Sequence, residues 1–243
     1  MKRVPDSATR VRIGPDGTSL DPAGVKFVVN PYDEFALEEA IRRKESAGTG
    51  TVTVISLGPP ATAEALRQAL AMGADEAILL RSEGSHEGLA VARALADEIR
   101  GREFDLVLFG KQAIDDDNAQ VPQMVAELLG LPCAAVVVRL DIEDGRAIAR
   151  REVEGGHEVV ELSLPAVVSA QKGLNEPRYP NLKGIMAAKK KPLEEKDVAL
   201  GPSALELVSL EEPPAPAAGR IVGEGPDAVP DLIAALRREA KVL

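Results

Sequence analysis

The sequence predicts an α/β protein: a doubly wound parallel sheet with a small antiparallel hairpin and a C-terminal extension. Three observations predict it. Short apolar runs alternate with amphipathic helical patterns through residues 51–138, the signature of parallel strands joined by crossover helices. After residue 140 the pattern changes to two runs facing each other across Gly155-Gly156. A Pro/Ala-rich linker, Glu211 to Ala218, then precedes one last helical stretch, Val229 to Val242. This divides the chain into an α/β domain, 1–192, and an extension, 193–243.

Taken in order, residues 10–29 read as a small hairpin, with Val11 and Ile13 on one arm, a turn at Gly14-Pro15-Asp16-Gly17, and Val25 to Val29 on the other. Asn30-Pro31 opens a helix as N-cap and first-position proline, and Leu37, Ala40 and Ile41 form its apolar face. Thr51 to Leu57 is a strand. Gly58-Pro59-Pro60 leads into a helix bearing Leu66, Ala69 and Leu70 and closed by Gly73. Ala77 to Leu80 is a strand, Leu89 to Ile99 a helix face, and Ala134 to Val138 a further strand. Ala147 to Glu154 and Glu158 to Leu164 form the later hairpin, and Ala166 to Ala170 one more strand.

The stretch from Leu106 to Val121 organises the rest. Leu106 to Phe109 is apolar, too short for a helix and bounded by Gly110, so it reads as a strand buried on both faces. Polar residues follow, then a helical pattern from about Asn118 with Met124, Val125, Leu128 and Leu129 on one face. Open α/β sheets bind ligands at such strand-to-helix loops. Free N–H groups around Ala119, Gln120 and Val121 suit a phosphate, and Lys111 adds a point charge. Asp115, Asp116 and Asp117 would repel one, and capping the positive end of the helix is their plainer role. They lack the alternate spacing of a calcium loop.

Composition narrows the function. A net charge of −10, no tryptophan and 2% aromatic residues argue against a nucleic-acid surface. No apolar run approaches the ~18 residues of a membrane span, so no membrane insertion is expected. The opening Met1-Lys2-Arg3-Val4-Pro5-Asp6 does not resemble a signal peptide, so a cytoplasmic location is expected. The single cysteine, Cys133, lies in an apolar run and reads as an inert thiol. Gly48-Thr49-Gly50 precedes a strand instead of opening a helix, so it is no dinucleotide fingerprint, and there is no Walker A pattern. Nor is there a metal cluster or a nucleophile–histidine–acid constellation. A carrier or binding role without turnover chemistry is expected.

Leu174-Asn-Glu-Pro-Arg-Tyr-Pro-Asn-Leu-Lys-Gly-Ile-Met186, followed by Lys189-Lys190-Lys191, is a stiff loop entering a short helix, with Leu182 alone in a polar setting. Three blocks, together with Lys2 to Asp6 and Val29-Asn30-Pro31, resemble electron transfer flavoprotein β subunits. They are Gly-Lys-Gln-Ala-Ile-Asp-Asp-Asp at 110–117, Ala-Leu-Ala-Met-Gly-Ala-Asp at 69–75, and the 174–191 loop. Their order and spacing agree over essentially the whole chain.

The resemblance implies a Rossmann-like, adenine-nucleotide-binding fold. It implies a heterodimer whose α subunit holds most of one FAD while this chain binds AMP structurally. The AMP site would comprise Asn30, Pro31, Tyr32, Asp33 and Leu57, then Gly110, Lys111, Gln112, Ala113, Ile114, Asp115, Asp116, Asp117, Asn118, Ala119, Gln120 and Val121. Tyr32 would lie near the flavin ring. Glu152 would pair with an arginine of the partner's movable flavin domain. The 174–191 loop, with Tyr179 and the anchor Leu182, would grip flavin-dependent acyl-CoA-type dehydrogenases, whose electrons pass on to a quinone reductase. The extension would pack on the α subunit.

Family members begin with an apolar strand before Lys-Arg-Val-Pro-Asp, whereas this sequence begins inside that motif. A strand there would lie mid-sheet, so a break in hydrogen bonding and packing is expected. Ser7 takes the place of the aromatic or polar residue that some relatives set near the flavin. Two alternatives stand beside this reading: a bifurcating relative with a second FAD in place of AMP, and a stand-alone nucleotide sensor of the stress-protein type. The second would need neither the 174–191 loop nor the last helix.

Overall fold

The computed structural model describes all residues except Ser85, Pro202, Pro216 and Ala217. Its first compact unit, Met1–Leu210, is a mixed α/β structure with parallel sheets and a small antiparallel one. In chain order the elements are β1 (Arg3–Pro5), β2 (Phe27–Val29), α1 (Pro31–Ala47), β3 (Thr53–Gly58), α2 (Thr62–Met72), β4 (Glu76–Arg81), α3 (Gly88–Arg100) and β5 (Leu106–Gly110). They continue with α4 (Val121–Leu129), β6 (Cys133–Glu143), β7 (Arg146–Val153), β8 (Gly156–Ser163), β9 (Ala166–Ala170), α5 (Leu182–Ala188) and β10 (Leu193–Asp197).

Helices cover both faces. Leu37 and Ile41 of α1 join Leu66, Ala69 and Leu70 of α2 over one face of β3 and β4. Ala92, Leu95, Ala96 and Ile99 of α3 meet Val125 of α4 with Ile78 and Leu80 of β4 on the other. This is the doubly wound arrangement that the alternating pattern predicts. Gly73 closes α2 by donating to the Ala69 carbonyl, and its positive φ of 144° suits glycine.

The parallel strands form two separate hydrogen-bonded groups. β3 and β10 flank β4, while β5 pairs with β9, and β9 pairs in turn with β6. β6, β7 and β8 continue as an antiparallel meander, so the later hairpin is present and extends the second sheet. β6 turns from β9 towards β7 through a register shift near Val136, a β-branched residue at φ 63°, whose N–H is held by the Ser169 hydroxyl at 3.0 Å.

The break expected in the sheet lies between β3 and β5. Their edges line a cavity of about 110 Å³ together with Leu37, Leu95 and Ile99. The Met1 ammonium donates to the Ile55 carbonyl at its mouth, 2.9 Å away. Residues 106–109, expected to be fully buried, are therefore only half-buried, because β5 is an edge facing the cavity.

Other expectations need correction. The early hairpin is made by β1 and β2, with Arg3 opposite Val29, and of residues 10–24 only Ile13 and Leu20 form a bridge. The turn residues Pro15, Asp16, Gly17 and Pro22 make that stretch an excursion from the sheet. The 193–197 segment, assigned to the extension, is a strand on β4 with Leu193 opposite Ala77. Its run of charged residues, Glu194 to Asp197, is that of a solvated edge strand.

The second unit, Glu211–Leu243, contains α6 (Val229–Ala235), which runs into a π-helical turn, Leu236–Ala240. Arg220 and Glu239 form an ion pair within it at 2.7 Å. Val229, Leu232 and Ile233 are solvent-exposed. Part of the expected linker, Pro216 and Ala217, lies outside the described residues. Among the described residues no helix is long and apolar enough to cross a membrane.

Leu37 belongs to the core and also lines the cavity, so truncation enlarges a void that already fails to collapse. Leu37→Ala should cost about 4 kcal/mol, towards the upper end for such changes, in the urea unfolding free energy.

Candidate functional site

The site forms where β5 ends and α1 begins. Gly110 lies against α1 so closely that an added Cβ would fall 2.6 Å from the Tyr32 carbonyl carbon and 2.7 Å from the Asp33 nitrogen. Only glycine allows this approach. Asp33, buried, accepts from the Gly110 N–H through Oδ1 (2.9 Å) and from the Lys2 N–H through Oδ2 (2.7 Å). One carboxylate thus ties the N-terminal segment, α1 and the end of β5 together.

Asn30 was expected as a helix cap. Its side chain makes no cap bond; it reaches across the chain, donating to the Gln112 carbonyl (2.9 Å) and accepting from the Ile114 N–H (3.2 Å). The amide group fits this loop because it offers one donor and one acceptor. Pro31 sits at the helix start, where its missing N–H costs nothing. Lys111 projects over the Tyr32 ring, with Nζ 5.1 Å from the centroid.

The three carboxylates do not cap α4 either. That helix begins at Val121, later than the pattern suggested, and its N-cap Gln120 makes no side-chain cap bond. Asp115 and Asp116 instead share the Lys2 ammonium at 2.8 and 3.0 Å, and Asp117 accepts from Gln112 Nε2 at 2.5 Å. The pair raises the Lys2 pKa; burial opposes this, and the bonds to Asp115 and Asp116 outweigh it. Lys2 is the functional residue that sequence reasoning missed. The available signal was the Lys2-Arg3 pair, whose charge complements the acidic run.

Asp117 and Ala119 adopt positive φ, 48° and 50°, as the loop turns into α4. Among the described residues, the backbone N–H groups of Ala119, Gln120 and Val121 have no acceptor within the chain. Pro122, in the first turn, has no N–H to offer. Ala113 accepts from the Asp117 N–H, which closes the loop, and Asn118 is exposed. Leu57, near the end of β3, packs with Phe109 and Val121 on the α3–α4 core. The expected residues therefore converge on the ends of β3 and β5 and the starts of α1 and α4.

The other expected residues lie apart. Glu152, exposed on β7, accepts from Gln171 Nε2 at 2.9 Å. Tyr179 is 93% exposed and Leu182 77% exposed. Cys133 is half-buried, and burial pushes its thiol pKa up, away from the reactive thiolate. Among the described residues no group of three or more His, Cys, Asp or Glu side chains is placed to hold a metal ion.

Fold and site together define an open α/β protein whose candidate site lies at the carboxyl ends of parallel strands, where such folds bind ligands. A family model described as the Electron transfer flavoprotein domain matches residues 18–200. The chain is 44% identical to the electron transfer flavoprotein subunit beta of Bradyrhizobium diazoefficiens, an alignment covering all of this chain and 98% of that protein. With the subunits of the same name from Bacillus subtilis and Sus scrofa the identities are 41% and 43%, again over the whole chain and over 98% and 96% of those proteins. The chain belongs to the electron transfer flavoprotein family, as a beta subunit, and its place is in electron transfer.

The Gly110 contact supplies a direct check of the site. In Gly110→Ala the new Cβ meets backbone, which cannot swing aside, so β5 and α1 must separate. A loss of about 2 kcal/mol in unfolding free energy is expected, with faster amide exchange at Lys111–Ile114.

Proposed function

We propose that this chain is the nucleotide-holding half of a heterodimeric electron carrier. It binds AMP as a structural element, helps hold the FAD carried mainly by the α subunit, and docks flavin-dependent acyl-CoA-type dehydrogenases whose electrons pass to a quinone reductase. The observation that carries the AMP reading is the closure of the 110–117 loop onto α1 by Asn30 and Asp33. It brings unpaired backbone donors at the start of α4 and the cation Lys111 into one neighbourhood. A phosphate suits those donors, and Lys2 offsets one of the three negative charges of the acidic run that would repel it. Asp117, beside the helix start, suits ribose hydroxyls.

The residues also fit a flavin held from the other side. Tyr32 and the Lys111 that covers it would lie near the ring, and Ser7 would leave one contact that some relatives make unfilled. The flavin, when bound, supplies one- and two-electron redox chemistry. This chain's own residues bind, orient and exclude water, and none is assigned a turnover step. Glu152 would meet an arginine of the partner's flavin domain as an exposed pair worth no more than ~1 kcal/mol. The apolar side of α6 would rest on the α subunit. A cytoplasmic location belongs to the same reading.

Acid extraction of the purified heterodimer tests the proposal by counting nucleotides. One FAD and one AMP per heterodimer are expected. Two FAD and no AMP would indicate the bifurcating alternative, and stoichiometric nucleotide on a chain that forms no heterodimer would indicate the sensor. In nucleotide-stripped protein, AMP at ~100 times its dissociation constant should add about 2.7 kcal/mol to stability. An unfolding midpoint that does not move with AMP counts against a folded-state site.

Leu182 supplies the docking test. It is exposed, so Leu182→Ala should leave the melting temperature and flavin content unchanged. As an anchor in a dehydrogenase pocket it should cost roughly 2 kcal/mol of docking affinity, chiefly through complex lifetime. The readout is the electron-acceptor titration of a flavin dehydrogenase.

A further inference from the structure

The segment from Leu174 to Lys191 is clamped at both ends, by different helices. At its start the buried Asn175 donates through Nδ2 to the Phe35 carbonyl and the Glu39 carboxylate of α1, at 3.0 and 3.1 Å. Arg178 follows. Its Nε and Nη2 reach the two Glu38 oxygens at 2.8 and 3.1 Å, while Nη1 and Nη2 grip Glu45 at 2.6 and 2.9 Å. At the far end Lys191 donates to the Leu70 and Ala74 carbonyls at the end of α2. Arg67 of α2 returns two bonds, to the Ala188 and Lys191 carbonyls, both 2.7 Å.

What stands between the clamps is apolar and uncovered. Leu182, Ile185 and Met186 are spaced i, i+3, i+4 on α5, share one side of the helix, and are all exposed. Lys183, Lys189 and Lys190 flank them, also exposed, on a chain whose net charge is −10. A local basic rim around an apolar face, against that overall charge, fits a partner with an apolar pocket edged by carboxylates.

Glu38 is the unusual member. It is only 2% exposed, and a buried carboxylate is costly unless paired. Burial pushes its pKa up, yet the bonds from Arg178 and Arg42 hold it below the usual range. The guanidinium of Arg178 answers in kind, its pKa raised by Glu45 and Glu38. Arg42 contacts Glu38 independently at 2.8 Å. Losing Arg178 therefore leaves no unpaired buried charge in α1; it frees the loop beyond Glu176, whose carbonyl Arg42 still holds at 3.3 Å while Asn175 keeps its bonds to α1.

We propose that Arg178 is a positioning residue for electron-transfer docking. Through Glu38 and Glu45 it locks the 174–191 segment to α1, so that Leu182, Ile185 and Met186 meet a flavin dehydrogenase as a preformed face. This rests on the docking role given above to that loop. A clamped face reaches its partner with the ordering cost already met, whereas a released one must be ordered at each encounter.

The test uses the assembled, flavin-loaded heterodimer as electron acceptor for a flavin dehydrogenase. Arg178→Ala should raise the KM for the carrier about tenfold, with kcat at saturation, flavin content and melting temperature unchanged, and with faster amide exchange confined to residues 176–186. Arg178→Lys should recover only part of the loss, because a single ammonium cannot grip two carboxylates in the fork geometry. Leu182→Ala, run in parallel, separates the two ways to fail. If it raises KM while Arg178→Ala does not, the loop docks but Arg178 does not position it. If neither variant changes KM, the docking reading itself falls and takes the proposal with it. Loss of flavin and a melting point several degrees lower, with KM unchanged for the folded fraction, would make Arg178 a structural residue and overturn the proposal.

Discussion

The buried carboxylate of Asp33 is the interaction on which the arrangement depends. Among the described residues the two groups of parallel strands share no strand pairing across the β3–β5 cavity. At the carboxyl end of that cavity Asp33 ties the end of β5 to the N-terminal segment, holding the Gly110 N–H with one oxygen and the Lys2 N–H with the other, and Met1 carries the tie to β3 through the Ile55 carbonyl and the Ser56 hydroxyl. The Lys2 carbonyl then accepts from the Asn30 N–H, which closes the circuit onto α1. Each of these N–H groups, if left without an acceptor away from water, would cost about 1–3 kcal/mol. A carboxylate suits the place because two oxygens can serve donors from opposite sides, and because the start of α1 favours negative charge.

The same junction resolves an electrostatic conflict. A loop with three consecutive aspartates is a poor place for an anion, yet two of them are engaged by Lys2 and the third by Gln112. Their negative charge does the work of fixing the N-terminal segment to the loop. Among the described residues the N–H groups of Ala119, Gln120 and Val121 have no acceptor within the chain, which suits the phosphate of the reading proposed above.

Much of this was legible in the sequence, and the failures share one cause. The alternating pattern placed β3, α2, β4, α3 and β5 because periodicity is a local property. Asn30, Asp33 and the 110–121 loop were singled out in the sequence and lie together in the structure, but Asn30 and the aspartates were expected as caps. A cap and a long-range tie look the same in sequence, and for Asn30, Asp115 and Asp116 the tying partners lie 82 to 114 residues away. α4 began late because Val121-Pro122 marks its first turn, a signal outweighed by the polar run before it. β10 was missed since Leu193 to Asp197 is mostly charged, which is ordinary for an edge strand and unreadable as one without its neighbour.

Helix α1 is the element in which these threads meet. Its start brings Asn30, Tyr32 and Asp33 against the 110–117 loop; two turns later Glu38 and Glu39 hold the start of the 174–191 segment. Arg43 reaches the Leu140 carbonyl of β6 from the same helix. Few of these contacts are apolar, so α1 is positioned by directional bonds on its polar side and by Leu37 and Ile41 on the other. Directional bonds fix rotation and register in a way that apolar packing alone does not. In the reading proposed above, the 110–117 loop and the 174–191 face have to keep a fixed relation within this chain. One helix, tied at its start to that loop and along its length to that segment, is a direct physical means of keeping it.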